Sequence, residues 1–455
     1  MKRLILINPV GIRRGFLLTP ISRASPLGLA YVAAVTPATW DIRILDENFE
    51  TCDYPEADLV GITAFTSCIT RAYEIAAEYR KRGTKVVLGG IHASMRPDEA
   101  LRYVDAVVVG EVENIWQKVL DDFEAGRMTG AYKGTQVDLE TFDILPRRDL
   151  FNPGYIWNSI QTSRGCPFNC SFCSVSHHLG KEYRQRKPES VLRELETIPG
   201  KYIFFADDNL VGYSAESRAR AIALFDGMIS RGMKKRWWTQ TSLNVSEDDV
   251  VLQKAKESGC AYLFIGFESN RPDMLKVMHK GINLKVGVDN YKTVVSRLHA
   301  HGLGVHGSFI IGNDHEGAET YEALAKFIMR AGVDIVQISI LTPLPGTDLF
   351  NQVEKEGRLL FTNFPADWDK FRFSYMTHRA EGTTPEMVYT GANLIKKGVY
   401  TFPFFAFRMI KMFFSLRNPV NAYIVYRLNK ALKRSWTNSH YRNMYPSSFK
   451  ETKKI

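Results

Sequence analysis

Cys166-Pro167-Phe168-Asn169-Cys170-Ser171-Phe172-Cys173 places three of the chain's six cysteines in one short stretch, directly after Ser163-Arg164-Gly165. Soft thiolates at such spacing suit zinc or an iron–sulfur cluster. A closed structural zinc site takes four protein ligands, and no second Cys pair or Cys-His pair at finger spacing stands nearby. Three near ligands without a fourth fit a [4Fe-4S] cluster better, with one iron left open to an outside ligand. A local knot of buried or zinc-binding cysteines is the plainer alternative.

The residues before the cysteines, Ile156 to Ser163, read as a strand that carries the cysteine loop at its carboxyl end, where β/α barrels place their chemistry. Further strands are expected at Tyr202–Ala206, Trp237–Ser242, Tyr262–Ser269, His306–Gly312 and Ile335–Ile340. Helices between them include Glu189–Glu196, Ser246–Ser258 and Glu319–Arg330. This makes a partial barrel, open enough for a bulky substrate. Adjacent Asp207 and Asp208 suit a divalent metal, but one of them is readily spent capping the next helix. Lys181, Arg184, Arg186 and Lys187 are either a solvated face or a cationic lining for phosphate or carboxylate groups.

Residues 1–140 alternate apolar strands with helices. Strands are expected at Leu4–Asn8, Asp41–Asp46, Leu59–Thr63, Lys85–Gly90 and Ala106–Gly110, with helices at Leu27–Val35 and Ile69–Arg82. Such alternation points to a parallel, doubly wound, Rossmann-like sheet, which binds ligands beyond the carboxyl ends of its strands. Those ends carry Thr63, Thr66 and Ser67, then Gly89-Gly90-Ile91-His92, then Gly110-Glu111. Paired glycines let a ligand approach the backbone closely. No G-x-G-x-x-G follows the first strand, so a nicotinamide or flavin dinucleotide has little support. His92 reads as a loop residue bonded to neighbouring backbone rather than a metal ligand. A proline-broken connector, residues 141–155, separates this domain from the barrel at 156–345.

The chain is that of a folded globular protein, 45% hydrophobic and 24% charged. Cys52, Cys68 and Cys260 are scattered and give no disulfide framework; with an oxygen-labile cluster, this argues for the cytoplasm. The run Leu4 to Ile7 is too short for a signal peptide, and no run of eighteen apolar residues suggests a spanning helix. The net charge of +10 raises the possibility of nucleic acid, yet its excess is conspicuous near the C-terminus and no RNA-binding module is recognisable.

Residues 346–455 read as a mainly helical extension covering the barrel. The segment Phe361 to Tyr375, with Trp368 and Phe371, is expected over the barrel opening. Phe404, Phe407, Ile410 and Phe414 share one helical face, with Arg408 and Lys411 elsewhere. Followed by Arg417, Arg427, Lys430, Lys433, Arg434 and Arg442, this reads as a basic interfacial helix, on the inner face of the membrane, or else as a helix packed on the barrel with a solvated tail.

The Cys-x3-Cys-x2-Cys pattern, with Phe172 before its last cysteine, resembles the signature of radical S-adenosylmethionine enzymes. The resemblance implies that Cys166, Cys170 and Cys173 hold the cluster and that Phe172 lies near the adenine. It also implies that an external donor such as flavodoxin or ferredoxin supplies the electron that cleaves S-adenosylmethionine to a 5'-deoxyadenosyl radical. Glu268, Gln240 and Ser242 match positions that commonly hold S-adenosylmethionine, and Gly307 opens an element that packs against adenine. Residues 1–140, including Ser25-Pro26-Leu27-Gly28-Leu29-Ala30 and Gly89 to Ala93, resemble the cobalamin-binding domain of one large subclass. Thr63, Ser67, Gly89, Gly90 and Glu111 are then the candidate cobalamin contacts. The usual axial-ligand motif Asp-x-His-x-x-Gly is missing, Asp314-His315 being adjacent and in the other domain; in this subclass that absence is common, and some relatives keep the fold without the cofactor. Leu341 to Thr347 and Glu356 to Leu359 resemble the subfamily of hopanoid and bacteriochlorophyll side-chain methylases. That resemblance implies methyl transfer through cobalamin to an unactivated carbon of a hydrophobic lipid or tetrapyrrole. The alternatives are radical cyclisation, coupling or oxidation without methylation, and an iron–sulfur nucleic-acid-binding or RNA-modifying protein.

Overall fold

The computed structural model describes residues 1–11, 21 and 23–435. Its strands, in chain order, begin with β1 (Lys2–Asn8), β2 (Trp40–Asp46), β3 (Leu59–Thr63), β4 (Lys85–Gly89), β5 (Ala106–Val109) and β6 (Gly130–Lys133). These form one parallel sheet in the order β2-β1-β3-β4-β5-β6. Its strands are apolar on both faces because both are covered. Ile5 and Ile7 pack under the helix Ile69–Lys81, whereas Leu4 and Leu6 face the helices Leu27–Ala34 and Trp116–Glu124. The doubly wound expectation therefore holds. β6, which the sequence reading omitted, is a four-residue edge strand with only Tyr132 buried, too short to leave a hydrophobic pattern.

Chain order reverses between β1 and β3, so their carboxyl ends frame the crevice in which such sheets take ligands. The two loops meet there: a Cβ on Gly11 would lie 2.7 Å from the Ser67 carbonyl oxygen.

The second half contributes β7 (Asn158–Ile160), the short pair β8 (Ser163–Arg164) and β9 (Arg184–Gln185), then β10 (Tyr202–Phe205), β11 (Arg236–Thr241), β12 (Cys260–Glu268), β13 (Gly304–Ile311) and β14 (Ile335–Ile340). Six of them form a parallel sheet in the order β14-β13-β12-β11-β10-β7, so β7 and β14 are edges and the barrel is open between them. β8 and β9 pair antiparallel beside it. The cysteine loop therefore leaves from this small ladder and not from the barrel strand itself. The expected helix over Ser246–Ser258 is split, because Asp248 accepts from the Val251 amide as an N-cap and starts the helix Asp249–Glu257 anew.

Alternation along the barrel strands sorts their side chains. Phe205, Trp237, Leu263, Ile265, Val305 and Phe309 pack outward under the helices. Phe204, Trp238, Gln240, Phe264 and Gly266 face inward and are only half-buried, which leaves a lumen.

The extension divides its work differently from the expectation. Phe361, Trp368 and Phe371 join the core of the first sheet instead of lying over the barrel, and the Trp368 indole donates to Glu99 at 3.0 Å. Only the end of this segment reaches the barrel rim, where the Phe373 carbonyl accepts from the Ile340 amide at 2.8 Å. The helices Phe404–Leu416 and Pro419–Ser435 seal the opposite, amino-terminal end: Met412, Leu416, Val425 and Leu428 pack against Trp157, Tyr262 and Ile335. Arg442 lies outside the described residues.

Candidate active site

The cysteine loop is held from both sides. The Cys166 amide donates to the Gly180 carbonyl at 3.2 Å, Ser171 donates to the Met278 carbonyl at 3.2 Å, and the Leu349 amide donates to the Ser171 carbonyl at 2.9 Å. Gly165, at φ +87°, stands directly against the Glu182 carbonyl, so no side chain fits there. This is the physical content of the Arg-Gly-Cys stretch. Leu349 lies in the helix Asp348–Lys355, directly after the Leu341–Thr347 loop, so the start of that helix braces the cysteines.

Burial pushes the Cys170 thiol up, and the Cys173 thiol up to about 12. The charge of Cys166 raises Cys170 and that of Cys170 raises Cys173. Three thiolates this close are stable only with positive charge among them. Among the described residues no three His, Cys, Asp or Glu side chains are already drawn into ion-binding geometry. The donor set nonetheless fits a cluster: three mutually repelling soft ligands on one backbone-pinned loop, with no fourth ligand drawn up to them among the described residues.

Glu268, at the carboxyl end of β12, has φ +61°, a conformation costly for a residue with a side chain. The strand curls there, the register slips between Gly266 and Glu268, and the carboxylate folds back over Gly266, where a Cβ would collide with it. Lys280 pairs with this carboxylate at 2.8 Å. Burial opposes the lysine's charge, but Glu268 and the Cys170 thiolate more than offset it and hold Lys280 protonated. Sequence reasoning missed Lys280, which sits at the junction between the short helices Pro272–Val277 and Gly281–Val286 after β12 and carries no motif. Side by side, a carboxylate and an ammonium complement the ammonium and carboxylate of an amino acid, so Glu268 and Lys280 are suited to the methionine end of S-adenosylmethionine. The Lys280 ammonium also stands 5.9 Å from the centroid of the Phe172 ring, which packs against Met278, Ile310 and Leu341.

Gln240 and Ser242 lie on the β10–β11 rim. Gln240 donates to the Asp207 carbonyl at 3.5 Å, and the Ser242 hydroxyl accepts from Asn209 at 3.3 Å. Tyr213 completes this side, its hydroxyl 3.6 Å from the Cys166 sulfur and its ring edge-on to Phe168 at 4.4 Å. Gly307 does not face the lumen. Its missing side chain points outward, where a Cβ would lie 2.8 Å from Val333 and 3.1 Å from Phe267; alternation turns Ser308 inward instead. Asp207 is not a helix cap either: it accepts from the Thr162 amide at 3.1 Å and from the Thr162 and Ser163 hydroxyls, while Ser214 caps the following helix. Burial, then the charge of Asp207, pushes the neighbouring Asp208 up to about 7.

On the first sheet, Thr63 and Ser67 stand partly exposed at the end of β3, beside the β1–β3 crevice. The two glycines after β4 differ. A Cβ on Gly90 would lie 2.7 Å from the Thr63 hydroxyl at φ +92°, so this glycine serves its own loop. Gly89 has nothing nearer than Val108, at 4.0 Å, so the space beside its backbone, at the carboxyl end of β4, is open. His92 is buried, with Nδ1 3.1 Å from the Thr66 hydroxyl and Nε2 3.4 Å from Glu99. It is thus held by side chains, not by backbone, and is unavailable as an axial ligand in this arrangement.

Glu111 is not presented to the crevice as the sequence reading expected. Its carboxylate accepts from Arg164 at 2.7 Å, from Arg184, and from the Val137 amide at 2.9 Å. Arg164 also pairs with Glu113 at 2.5 Å. Arg184 is therefore an interdomain partner, not part of a solvated face. Arg164 lies two residues before Cys166, so this buried cluster ties the rim of the first sheet to the root of the cysteine loop. The carboxyl ends of the two sheets are held together by charge.

Comparison with known proteins agrees with this geometry. Residues 14–120 match the B12 binding domain and residues 160–328 the radical SAM superfamily, which assigns cobalamin to the first sheet and S-adenosylmethionine to the second. The chain is 32% identical over 374 residues to bacteriochlorophyllide d C-12(1)-methyltransferase of Chlorobaculum tepidum, covering 77% of each protein. It is 28% identical over 354 residues to hopanoid C-2 methylase of Rhodopseudomonas palustris, covering 74% of this chain and 65% of that one. Among solved structures, the radical S-adenosylmethionine methyltransferase TsrM of Kitasatospora setae superposes with TM-score 0.68 at 17% identity, over 94% of this chain and 99% of that one. A backbone-pinned cysteine loop latched to a cobalamin-type sheet, and a relative this similar over this much of its length, together show that the chain belongs to the cobalamin-binding radical S-adenosylmethionine enzymes, in the family of the bacteriochlorophyllide and hopanoid methylases.

Proposed function

We propose that this enzyme methylates a carbon of a water-insoluble polycyclic or isoprenoid substrate, a lipid or a tetrapyrrole, at the inner face of an anionic membrane. One observation carries the proposal: the helix Phe404–Leu416 is inverted. Its cation Arg408 is buried, donating to Asn429 at 3.1 Å between the rings of Tyr400 and Phe405. Phe407 and Phe414 are 64% and 72% exposed, and Phe402, Ile410 and Phe413 are exposed beside them. Lys411, Arg417, Arg427 and Lys430 are exposed on the same stretch of chain. An apolar patch accompanied by cations suits the interface of an anionic bilayer. No single described helix is long and apolar enough to cross a membrane.

When bound, the cluster with S-adenosylmethionine supplies a hydrogen-abstracting radical, and cobalamin carries the methyl group. The protein's part is placement. Cys166, Cys170 and Cys173 hold the cluster, Glu268 and Lys280 the methionine end, and Glu111 with Arg164 keeps the two halves in register. A flavodoxin or ferredoxin is the expected electron donor. The test incubates the reconstituted enzyme, a chemical reductant and S-adenosylmethionine bearing a deuterated methyl group with a membrane lipid extract and, separately, with chlorin pigments. Label entering the organic phase, dependent on Cys170, supports the reading; deoxyadenosine without labelled product refutes methyl transfer to these classes. Flotation with phosphatidylglycerol vesicles tests the membrane contact, which is lost if the protein ignores them or if Phe407→Ser with Phe414→Ser floats equally well.

A further inference from the structure

The base of the lumen is a run of rings. Phe204 stacks on Trp238 at 4.0 Å, Trp238 stacks on Tyr262 at 5.3 Å, and beyond Tyr262 the His306 imidazole meets the edge of Phe264 at 4.6 Å. His306 is 5% exposed and sits in β13, on the face that alternation turns inward. Among the described residues, neither Nδ1 nor Nε2 of this ring makes a formed hydrogen bond, and the Trp238 indole N–H makes none either. Gln337 on β14 bears on the imidazole as a hydrogen-bonding neighbour, and one glutamine cannot partner both ring nitrogens.

Buried polar atoms are almost always paired, and those that are not call for an explanation. An apolar residue at position 306 would complete the stack without that cost. Three polar atoms without a formed hydrogen bond on one aromatic floor, facing a lumen, are the lining expected of a pocket in which a few polar groups orient an apolar ligand.

We propose that His306 is a specificity-determining anchor that binds a neutral oxygen, a carbonyl or hydroxyl, on the flat hydrophobic substrate, with the Trp238 N–H a second polar group on the same ring floor. The inference rests on the reading of a hydrophobic substrate given above and assigns the residues that orient it. Phe204, Gln240, Tyr262, Phe264 and Gln337, which surround the anchor, carry no charge. Burial pushes the imidazole pKa down to about 3, so the ring is a neutral donor and acceptor and offers no charge to a carboxylate or phosphate. A substrate held by one polar group against a ring stack has its remaining carbons in a set register toward the cysteine loop. A site built to bond an oxygen discriminates strongly against the analogue that lacks it.

The test uses the cluster-reconstituted full chain and three tricyclic probes, fluorene, fluorenone and fluorene-9-carboxylate, in equilibrium dialysis. The ketone is expected to bind about tenfold more tightly than the hydrocarbon, and the carboxylate no better than the hydrocarbon. His306→Leu should bring the ketone-to-hydrocarbon ratio to about one, whereas His306→Gln, neutral and able to donate and accept, should keep most of it. Trp238→Phe, which retains the stack and deletes the N–H, should lower the ratio without weakening fluorene, and so serves if His306→Leu does not fold. Equal binding of ketone and hydrocarbon by the native protein, tighter binding of the carboxylate, or an undiminished ratio in His306→Leu overturns the anchor alone. If none of the three probes binds, both the anchor and the hydrophobic-substrate reading are overturned.

Discussion

Glu111→Gln is the most informative perturbation of the interdomain latch. The side chains of Glu111, Arg164 and Arg184 are only 5%, 7% and 9% exposed. Arg164 keeps Glu113 when the charge on Glu111 is removed, whereas among the described residues Arg184 keeps the Val137 and Leu179 carbonyls, at 2.7 and 3.1 Å, and no carboxylate. Stranding one member of a buried ion pair costs about 3–5 kcal/mol. The remaining acceptors argue for the lower end, about 3 kcal/mol. Unfolding of a chain this long is not two-state, so the readout should be local: hydrogen exchange over residues 163–186, the β8–β9 ladder and the cysteine loop. A loss of about 3 kcal/mol corresponds to roughly 150-fold faster exchange. Adding Arg184→Gln removes the stranded cation and should recover at least about tenfold. Burial opposes ionisation of Glu111, and the hydrogen bond from Arg184 and the charge of Arg164 outweigh it, so its carboxyl is held below the usual range. Its stabilisation is therefore full above that range and is lost as pH falls below about 4, where native protein and variant should converge. Less than threefold faster exchange in Glu111→Gln at neutral pH would refute the latch.

Three further outcomes follow from particular side chains. Gly90→Ala places a Cβ 2.7 Å from the Thr63 hydroxyl at φ +92° and should destabilise the first domain by about 2 kcal/mol or more. Gly89→Ala, with its nearest neighbour 4.0 Å away, should keep stability within about 1 kcal/mol while lowering the cobalamin retained after desalting. Burial pushes the pKa of His378 down to about 4, so the folded chain keeps it neutral while the unfolded chain protonates it near 6.5. Stability present at neutral pH is lost as pH drops through that range, about 2 kcal/mol at pH 5, and His378→Gln should remove that share of the acid shift in urea midpoint. Cys170→Ala should abolish bound iron and sulfide, and with them deoxyadenosine formation, while leaving cobalamin retention intact.

Much of this was written in local pattern. The apolar runs Leu4–Ile7, Leu59–Ile62 and Val86–Leu88 announce strands buried on two faces, and the cysteine spacing announces a candidate ligand set. β6 was not legible, because four residues with one buried tyrosine lie below any periodic signal. Nor was the job of Glu111. A carboxylate at a strand end has the same sequence signature whether it meets a ligand or a cation fifty residues away.

The sequence by itself determined the two sheets, the three thiolates and the amphipathic character of Phe404–Leu416, because each rests on periodicity or spacing within a few turns of chain. Only the tertiary structure decided the direction in which that helix faces, since Arg408 finds Asn429 and two rings inside while the phenylalanines are left outside. It alone brought Lys280 to Glu268, Arg164 to Glu111, and His306 to a ring stack where its nitrogens make no formed hydrogen bond among the described residues. Burial and pairing between distant residues are properties of the packed chain. No window of sequence contains both partners.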